Sequence, residues 1–335
     1  MILVTGGTGL VGSHLLYELT QKHESVKAIY RNEKKLSVVK KVFSYYSKQP
    51  DEDFNKIEWI QVDLLDIPLL IEAFKNVSHV YHCAAFVSFE PNKYHELRKT
   101  NIEGTANIVN LCIANKVEKL CYVSSVATLG KSLNKTAVDE DALWNPEADN
   151  SLYGITKYGA EMEVWRGTQE GLDAVIVNPG VIIGPGIWNY GTGNIFKRVY
   201  NGLSYYTEGG TGYVDVFDVV QPMIKLMESS VKNERFVLVA ENWLYKDFID
   251  LIATTLQVQA PTKRATPFLL SIAWRLDWLK HKLTGKRRSL GRQIAGTLVS
   301  TTEYNSDKIK TRLNYQFKPL NKSIEAVSTL FLKEH

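Results

Sequence analysis

Two groups of residues in this sequence have the types and spacing for chemistry. The first is Gly6-Gly7-Thr8-Gly9-Leu10-Val11-Gly12, which follows the apolar run Ile2-Leu3-Val4-Thr5. A strand that runs into glycines and then opens a helix makes a phosphate cradle. Gly6 permits the tight turn, Gly9 lets backbone approach a pyrophosphate, and Gly12 permits close packing of helix on strand. The N–H groups opening the helix at Leu10 face the phosphates, favoured by the helix dipole. The second group is Tyr153 and Lys157, four apart on a predicted helix and so on one face. They follow Val123-Ser124-Ser125-Val126-Ala127-Thr128, a segment at the carboxyl end of a fifth strand. Ligands bind at those strand ends in open α/β sheets.

The elements that must position these groups follow from periodicity. Short β-branched runs at 2–5, 26–30, 57–62, 79–84, 119–124 and 174–178 are too apolar for one-sided sheets. Helical patterns at 10–20, 68–74, 100–114 and 151–169 alternate with them. Strand, helix, strand in repetition predicts an α/β fold, a Rossmann-type doubly wound parallel sheet. After Asn178 the rhythm changes to a glycine-rich loop and mainly helical segments, with one more strand at 236–239. The expected organisation is interleaved. Residues 1–178 and 212–240 form the dinucleotide-binding domain, and 179–211 and 241–335 form a smaller substrate-binding domain.

Cofactor choice is read at the end of the second strand. An NAD site offers an acid there to the ribose 2′-hydroxyl, but this chain has Tyr30 and Arg31, with Lys34 and Lys35 behind. A guanidinium suits a 2′-phosphate, so NADP(H) is preferred, with NAD(H) also admissible. Asp63, ending the third strand, could accept from the adenine amino group or simply cap a turn.

The chain resembles the extended short-chain dehydrogenases/reductases, the NAD-dependent epimerase/dehydratase-like group. The residues that carry the resemblance are the Thr5-to-Gly12 loop, His82-Cys83-Ala84-Ala85, Asn101-Ile102-Glu103-Gly104-Thr105, Ser124-Ser125, Tyr153 with Lys157, and Asn178-Pro179-Gly180-Val181-Ile182-Ile183-Gly184-Pro185-Gly186. Tyr213-Val214-Asp215-Val216-Phe217-Asp218-Val219-Val220 also looks like a family segment. The 263–321 region looks more like the dihydroflavonol reductase and hydroxysteroid dehydrogenase branch than like the nucleotide-sugar epimerases. By resemblance, Ser125, Tyr153 and Lys157 form a catalytic triad. It also implies that Gly6, Thr8, Gly9, Leu10, Val11, Arg31, Asp63, Leu64, Ala84, Ala85, Tyr153, Lys157, Pro179 and Val181 hold the cofactor. Phe86, Val87, Ser125 and Tyr153 would meet substrate, while Phe89 packs in the core.

Those roles suit the residue types. Ketone reduction delivers hydride to carbon and a proton to oxygen. A free phenol has a pKa near 10, and Lys157 would bring it within reach while binding the nicotinamide ribose. Ser125 would hydrogen-bond the oxygen as charge develops. Leu129 and Asn178 stand where many sugar epimerases carry Tyr and Arg, which loosens a sugar-nucleotide assignment. The expected activity is an NADP(H)-dependent carbonyl reductase or alcohol dehydrogenase on a medium-sized, fairly apolar substrate. One alternative is a nucleotide-sugar epimerase or dehydratase with bound NAD. Another is a dinucleotide-sensing protein without turnover, against which the complete triad argues.

Composition limits the rest. Of 335 residues, 44% are hydrophobic and 23% charged, which excludes collagenous, disordered and coiled-coil classes. Three cysteines without paired metal spacing fit a reducing compartment better than a disulfide framework. Scattered histidines suggest no metal site. No apolar run approaches the ~20 residues of a membrane-spanning helix, and no basic leader precedes the first strand. A cytoplasmic protein is expected. The net charge is +4, yet residues 263–292 alone carry nine Lys or Arg against Asp277, a local +8 that leaves −4 elsewhere. That distribution argues against a nucleic-acid partner, and Trp188, Trp243, Trp274 and Trp278 are expected as core or pocket walls. Residues 267–280 form an apolar helical stripe followed by Lys280-His281-Lys282 and Lys286-Arg287-Arg288. It reads either as a lid buried over the pocket or as a helix lying in a membrane surface, the peripheral contact expected of 267–292. The resemblance also implies a homodimer through the 100–114 and 151–169 helices.

Overall fold

The sheet follows from strands buried on both faces. The computed structural model describes residues 1–22, 25–130, 137–284 and 291–335. Its strands are β1 (Ile2–Thr5), β2 (Val26–Tyr30), β3 (Ile57–Gln61), β4 (His79–His82), β5 (Lys119–Val123), β6 (Ala174–Pro179), β7 (Val181–Ile183), β8 (Tyr205–Tyr206), β9 (Gly210–Asp215), β10 (Glu234–Leu238), β11 (Glu241–Leu244) and β12 (Lys263–Arg264). Seven of them form one sheet in the order β10-β6-β5-β4-β1-β2-β3, parallel throughout. This is the doubly wound order, and its switch point lies between β1 and β4.

Neighbouring residues of each strand serve opposite faces. Val4, Ala28, Cys121 and Val175 pack with Leu15, Leu16, Phe43 and Met223, from helices Leu10–Lys22, Leu36–Tyr46 and Val216–Glu228. Leu3, Ile29, Leu120 and Ile176 pack on the other side with Leu70, Ile108, Val109 and Val164, from helices Ile67–Ala73, Gly104–Ala114 and Leu152–Gln169. A separate core around Tyr213, Phe248, Ile324 and Phe331 supports a three-stranded sheet, β11-β9-β7. β8 and β12 form a parallel pair of their own.

Several expected boundaries shift for a physical reason. The 57–62, 79–84 and 119–124 runs leave the ladder at Gln61, His82 and Val123. The next N–H of each still bonds a neighbour: Val62 to Tyr30 O at 2.8 Å, Cys83 to Thr5 O at 3.2 Å and Ser124 to Val177 O at 2.7 Å. The following residues then turn outward and build the site. The helix expected from residue 100 starts at Gly104, after a π-helical turn over Arg98–Glu103, a feature often found beside functional sites.

The apolar stripe at 267–280 lies in the helix Pro267–Thr284, and its apolar residues are not buried as a lid would be. Only Leu270 of that helix is buried among the described side chains, and Trp278 is exposed rather than part of a core or pocket wall. Lys286, Arg287 and Arg288 lie outside the described residues. Among the described residues, no helix is long and apolar enough to cross a membrane. No group of three or more His, Cys, Asp or Glu there could hold a metal ion.

The edge strand β10 is closed by side chains. Glu140 Oε1 accepts Val237 N–H at 2.7 Å and Ser306 Oγ accepts Val239 N–H at 2.9 Å, so these edge donors are not left as a template for another strand. Arg235 ties the same loop to the sheet, donating to Glu140 O and Ala142 O and pairing with the fully buried Glu161 at 3.1 Å. Removing the guanidinium leaves a buried charge without its counter-ion. Arg235→Met should cost roughly 3–5 kcal/mol in urea denaturation; a loss under 1 kcal/mol would show that the pair is dispensable.

Candidate active site

The site is built at the carboxyl ends of β1, β4, β5 and β6. At β1 the chain turns through Gly6 with φ +69°, and Gly9 N–H closes the turn on Gly6 O at 2.9 Å. A Cβ on Gly12 would lie 2.2 Å from Gly6 O, so only glycine allows the Leu10–Lys22 helix to start this close to the loop. A Cβ on Gly6 would meet the Ala84 backbone at 2.6 Å, which sets the β1 loop against the end of β4. The outer side of Gly9 is open, its nearest neighbour being Gly6 O at 3.3 Å from an added Cβ. This cradle, opening on a helix N-terminus, fits a dinucleotide pyrophosphate. Thr8 lies in the loop and Leu10 and Val11 open the helix, while Ala84 and Ala85 follow β4, Pro179 ends β6 and Val181 starts β7.

Ser125, Tyr153 and Lys157 are brought together from two elements. Ser125 follows β5 and caps the short turn Val126–Thr128, its Oγ accepting Ala127 N–H at 3.1 Å. Tyr153 lies in the first turn of the Leu152–Gln169 helix, whose N-cap Ser151 accepts Gly154 N–H at 2.9 Å. The Ser125 hydroxyl stands near enough to the Tyr153 phenol to oppose the effect of burial on it. Lys157, one turn on, is buried, and its Nζ donates to Tyr122 Oη and to Val123 O at 2.8 Å.

The electrostatics differ from the sequence expectation for the tyrosine. Burial pushes the Tyr153 phenol up to about 12, although the nearby Ser125 hydroxyl pulls the other way. Burial also lowers Lys157 to about 7, opposed chiefly by the nearby Glu161. The phenol is therefore a protonated acid at neutral pH, with a lysine beside it that titrates near 7. This pair can deliver a proton to a developing alkoxide while Ser125 meets the same oxygen.

Several residues of the site escaped the sequence reading as functional positions. Glu161 is one turn beyond Lys157 and fully buried. It accepts from Ser124 at 2.5 Å, Thr128 at 2.8 Å and Asn178 at 2.9 Å, which ties the helix to the ends of β5 and β6. Asn101, in the π-helical turn, accepts Phe86 N–H at 2.7 Å and donates to Phe86 O at 3.0 Å and to Thr156 at 3.2 Å. It thus holds the segment after β4 against the tyrosine helix. Its signal was its place in the Asn101-to-Thr105 motif; Glu161 gave none, because a mid-helix glutamate reads as solvated. Phe89, expected in the core, is 45% exposed and meets the Tyr153 ring edge-on at 5.7 Å. Val87 is also exposed and Phe86 half-buried. The segment beside Tyr153 therefore presents exposed apolar side chains.

At the far end, Arg31 and Asp63 are brought together as an exposed pair 3.6 Å apart. Asp63 also accepts Leu65 N–H at 3.0 Å, the turn-capping alternative. Leu64 is buried, and a Cβ on Gly104 would lie 3.0 Å from its Cβ.

Comparison with known proteins agrees with this arrangement. The NAD dependent epimerase/dehydratase family model matches residues 2–238. A Synechocystis sp. protein named "Putative dihydroflavonol 4-reductase" is 29% identical over 317 residues, covering 92% of this chain and 87% of its own. Cinnamoyl-CoA reductase 1 of Petunia hybrida is 26% identical over 264 residues, 76% of each chain. The crystal structure of gox2253 superposes with a TM-score of 0.82 at 25% identity, over 100% of this chain and 98% of that one. With the glycine cradle at β1 and the Ser125, Tyr153 and Lys157 cluster at β5, these matches establish that the chain belongs to the NAD-dependent epimerase/dehydratase family, as an extended short-chain dehydrogenase/reductase enzyme.

Proposed function

We propose that this enzyme is an NADP(H)-dependent reductase of a carbonyl on a medium-sized, fairly apolar substrate, or the corresponding alcohol dehydrogenase. The observation that carries the reading is the convergence of Ser125, from the turn after β5, with Tyr153 and the buried Lys157 on one helix, the phenol being kept protonated by burial. The reductase names of the relatives point the same way. A bound nicotinamide dinucleotide supplies the hydride. The Gly6-to-Gly12 loop would hold its pyrophosphate, Arg31 its 2′-phosphate, and Lys157 its ribose. Ser125 positions the carbonyl oxygen, and Tyr153 gives it a proton as negative charge develops. Val87 and Phe89 keep the mouth apolar and favour a hydrocarbon or aromatic substrate over a sugar nucleotide.

Tyr153→Phe keeps the ring and removes the proton. Turnover of an apolar ketone, followed by NADPH absorbance, should fall roughly 10²–10⁴-fold with cofactor binding retained. Turnover within a few-fold of the parent would refute the assignment.

Arg31 is favourably set for a 2′-phosphate, because an exposed pair such as Arg31–Asp63 contributes little and is readily exchanged. A charge-assisted contact is worth ~1.5–3 kcal/mol. NADPH should therefore bind roughly tenfold to a hundredfold more tightly than NADH, and Arg31→Ala should erase most of that difference in calorimetric titrations. Equal affinities in the parent would reduce Arg31 to a solvated turn residue.

Lys157 gives a pH test of its burial. Its folded pKa of about 7 lies below the ordinary lysine value of 10.5. Between those values the unfolded chain binds more protons, so this group's contribution to stability rises with pH. Below pH 7 the full cost of burying the charge is present. Lys157→Met should therefore compare most favourably with the parent at pH 6 and lose that advantage toward pH 10 in urea titrations. A difference independent of pH would contradict the buried ammonium.

A further inference from the structure

We propose that the Pro267–Thr284 helix docks this enzyme on an anionic membrane surface, lying in the headgroup region without crossing the bilayer. Phe268, Leu276 and Leu283 are 71%, 60% and 75% exposed, and Leu269, Ile272 and Leu279 are exposed with them. At 3.6 residues per turn these six fall within an arc of about 100°. Leu270 and Trp274 occupy the opposite side, where Leu270 is buried in the protein body. The long apolar arc is thus the side turned to solvent, the reverse of an ordinary surface helix. A contiguous exposed apolar surface of this kind marks an interaction site.

Charge selects the occupant. On the helical projection, Arg275 and Lys282 border one edge of the arc and Lys280 the other. All three are exposed. Their stems can lie along the apolar surface while their heads reach phosphate and carboxylate headgroups. Trp278 is exposed on the Arg275 and Lys282 side, with Lys282 Nζ 5.3 Å from the centre of its ring. Residues 263–292 carry a net +8 while the rest of the chain is at −4. Two copies packed through this face would oppose like charges, because a two-fold interface matches each patch with itself. An anionic bilayer offers the opposite charge and an apolar interior together.

The helix also adjoins the mouth of the site. It packs against the Arg292–Thr297 helix, where Gln293 donates to Asn150 O at 3.0 Å, next to the Ser151 cap of the tyrosine helix. Gly291, just before, lies against Phe89 O, with 3.9 Å from an added Cβ, and Phe89 meets Tyr153. Docking therefore brings the mouth to the lipid surface. The matching substrate class is a carbonyl compound or alcohol dissolved in the bilayer, a corollary that rests on the reductase reading above.

The test is sedimentation of the full chain with phosphatidylcholine vesicles, with and without phosphatidylserine, at low and at high salt. The parent should sediment with phosphatidylserine vesicles at low salt, and far less with phosphatidylcholine alone or at high salt. The triple variant Phe268→Ser, Leu276→Ser, Leu283→Ser should lose binding by about tenfold or more. The triple variant Arg275→Gln, Lys280→Gln, Lys282→Gln should lose about tenfold or more and also its salt sensitivity. All six positions are exposed, and unchanged circular dichroism and nucleotide titration will confirm folding. Tyr153→Phe should bind vesicles like the parent, which separates docking from the reductase reading. A parent that stays in the supernatant overturns the proposal, as does binding that survives both triple variants. A dimer by light scattering that the serine variant dissociates, without vesicle binding, would instead assign the face to a second copy.

Discussion

The Glu161 carboxylate is the constraint on which the arrangement of the site depends. A buried carboxylate costs several kcal/mol unless it is paired and fully hydrogen-bonded. Glu161 meets that demand by drawing in Ser124 and Thr128 after β5, Asn178 from β6, Arg235 from β10, and Trp165 on its own helix. Each partner fixes one element against the Leu152–Gln169 helix. Because Glu161 lies eight residues after Tyr153 and four after Lys157, the rotation that satisfies the carboxylate also turns both toward the strand ends. The same Arg235 closes the loop that covers the edge of β10. Sheet closure and site geometry thus share one ion pair.

Burial then sets the protonation states. Tyr153 and Lys157 are adjacent on one helix face, and desolvation moves them in opposite directions, the phenol up and the ammonium down. Both neutral forms gain, because each sheds the charge that the interior disfavours. Lys157 keeps a polar environment through Val123 O and Tyr122, while His82 beside them is held neutral, its pKa lowered to about 3 by burial. Its ring bridges Thr5 at 2.6 Å and Thr105 at 2.9 Å. The result is a neutral hydrogen-bonded floor that joins the glycine loop to the catalytic cluster.

Much of this was legible in the sequence. The seven-stranded sheet was legible because its strands are buried on both faces and read as continuous apolar runs, and because helical crossovers force parallel pairing. The glycine loop was legible because steric demand leaves no other residue at Gly12. What escaped depends on pairing across long sequence separations. β7 and β11 are short, β9 begins with glycines at 210 and 212, and the three gain their pairing from each other, while β8 with β12 holds only two residues on each side. The Arg31–Asp63 pair joins ends of two strands whose adjacency had to be known first. Phe89 resembles a core residue by type, and only the turn after β4 shows that it stands at the mouth. The helix Pro267–Thr284 carries a clear period, but periodicity reports that one side is apolar and not which way that side faces.

That last distinction explains why the two ends of the molecule differ in how they encode function. At the cofactor end, backbone and small residues do the work: a Cβ at Gly6 or Gly12 would collide with fixed main chain, so the sequence is tightly bound to the shape. At the substrate end, large side chains such as Phe86, Val87 and Phe89 rest on a segment whose position is held by Asn101. Many apolar residues would satisfy that mouth without disturbing the anchor. The glycine loop therefore permits little exchange, and the apolar segment after β4 permits much. Under the reductase reading proposed above, the Tyr153 device can be kept while the apolar residues after β4 change, because those side chains are not the ones that hold the sheet to the Tyr153 helix.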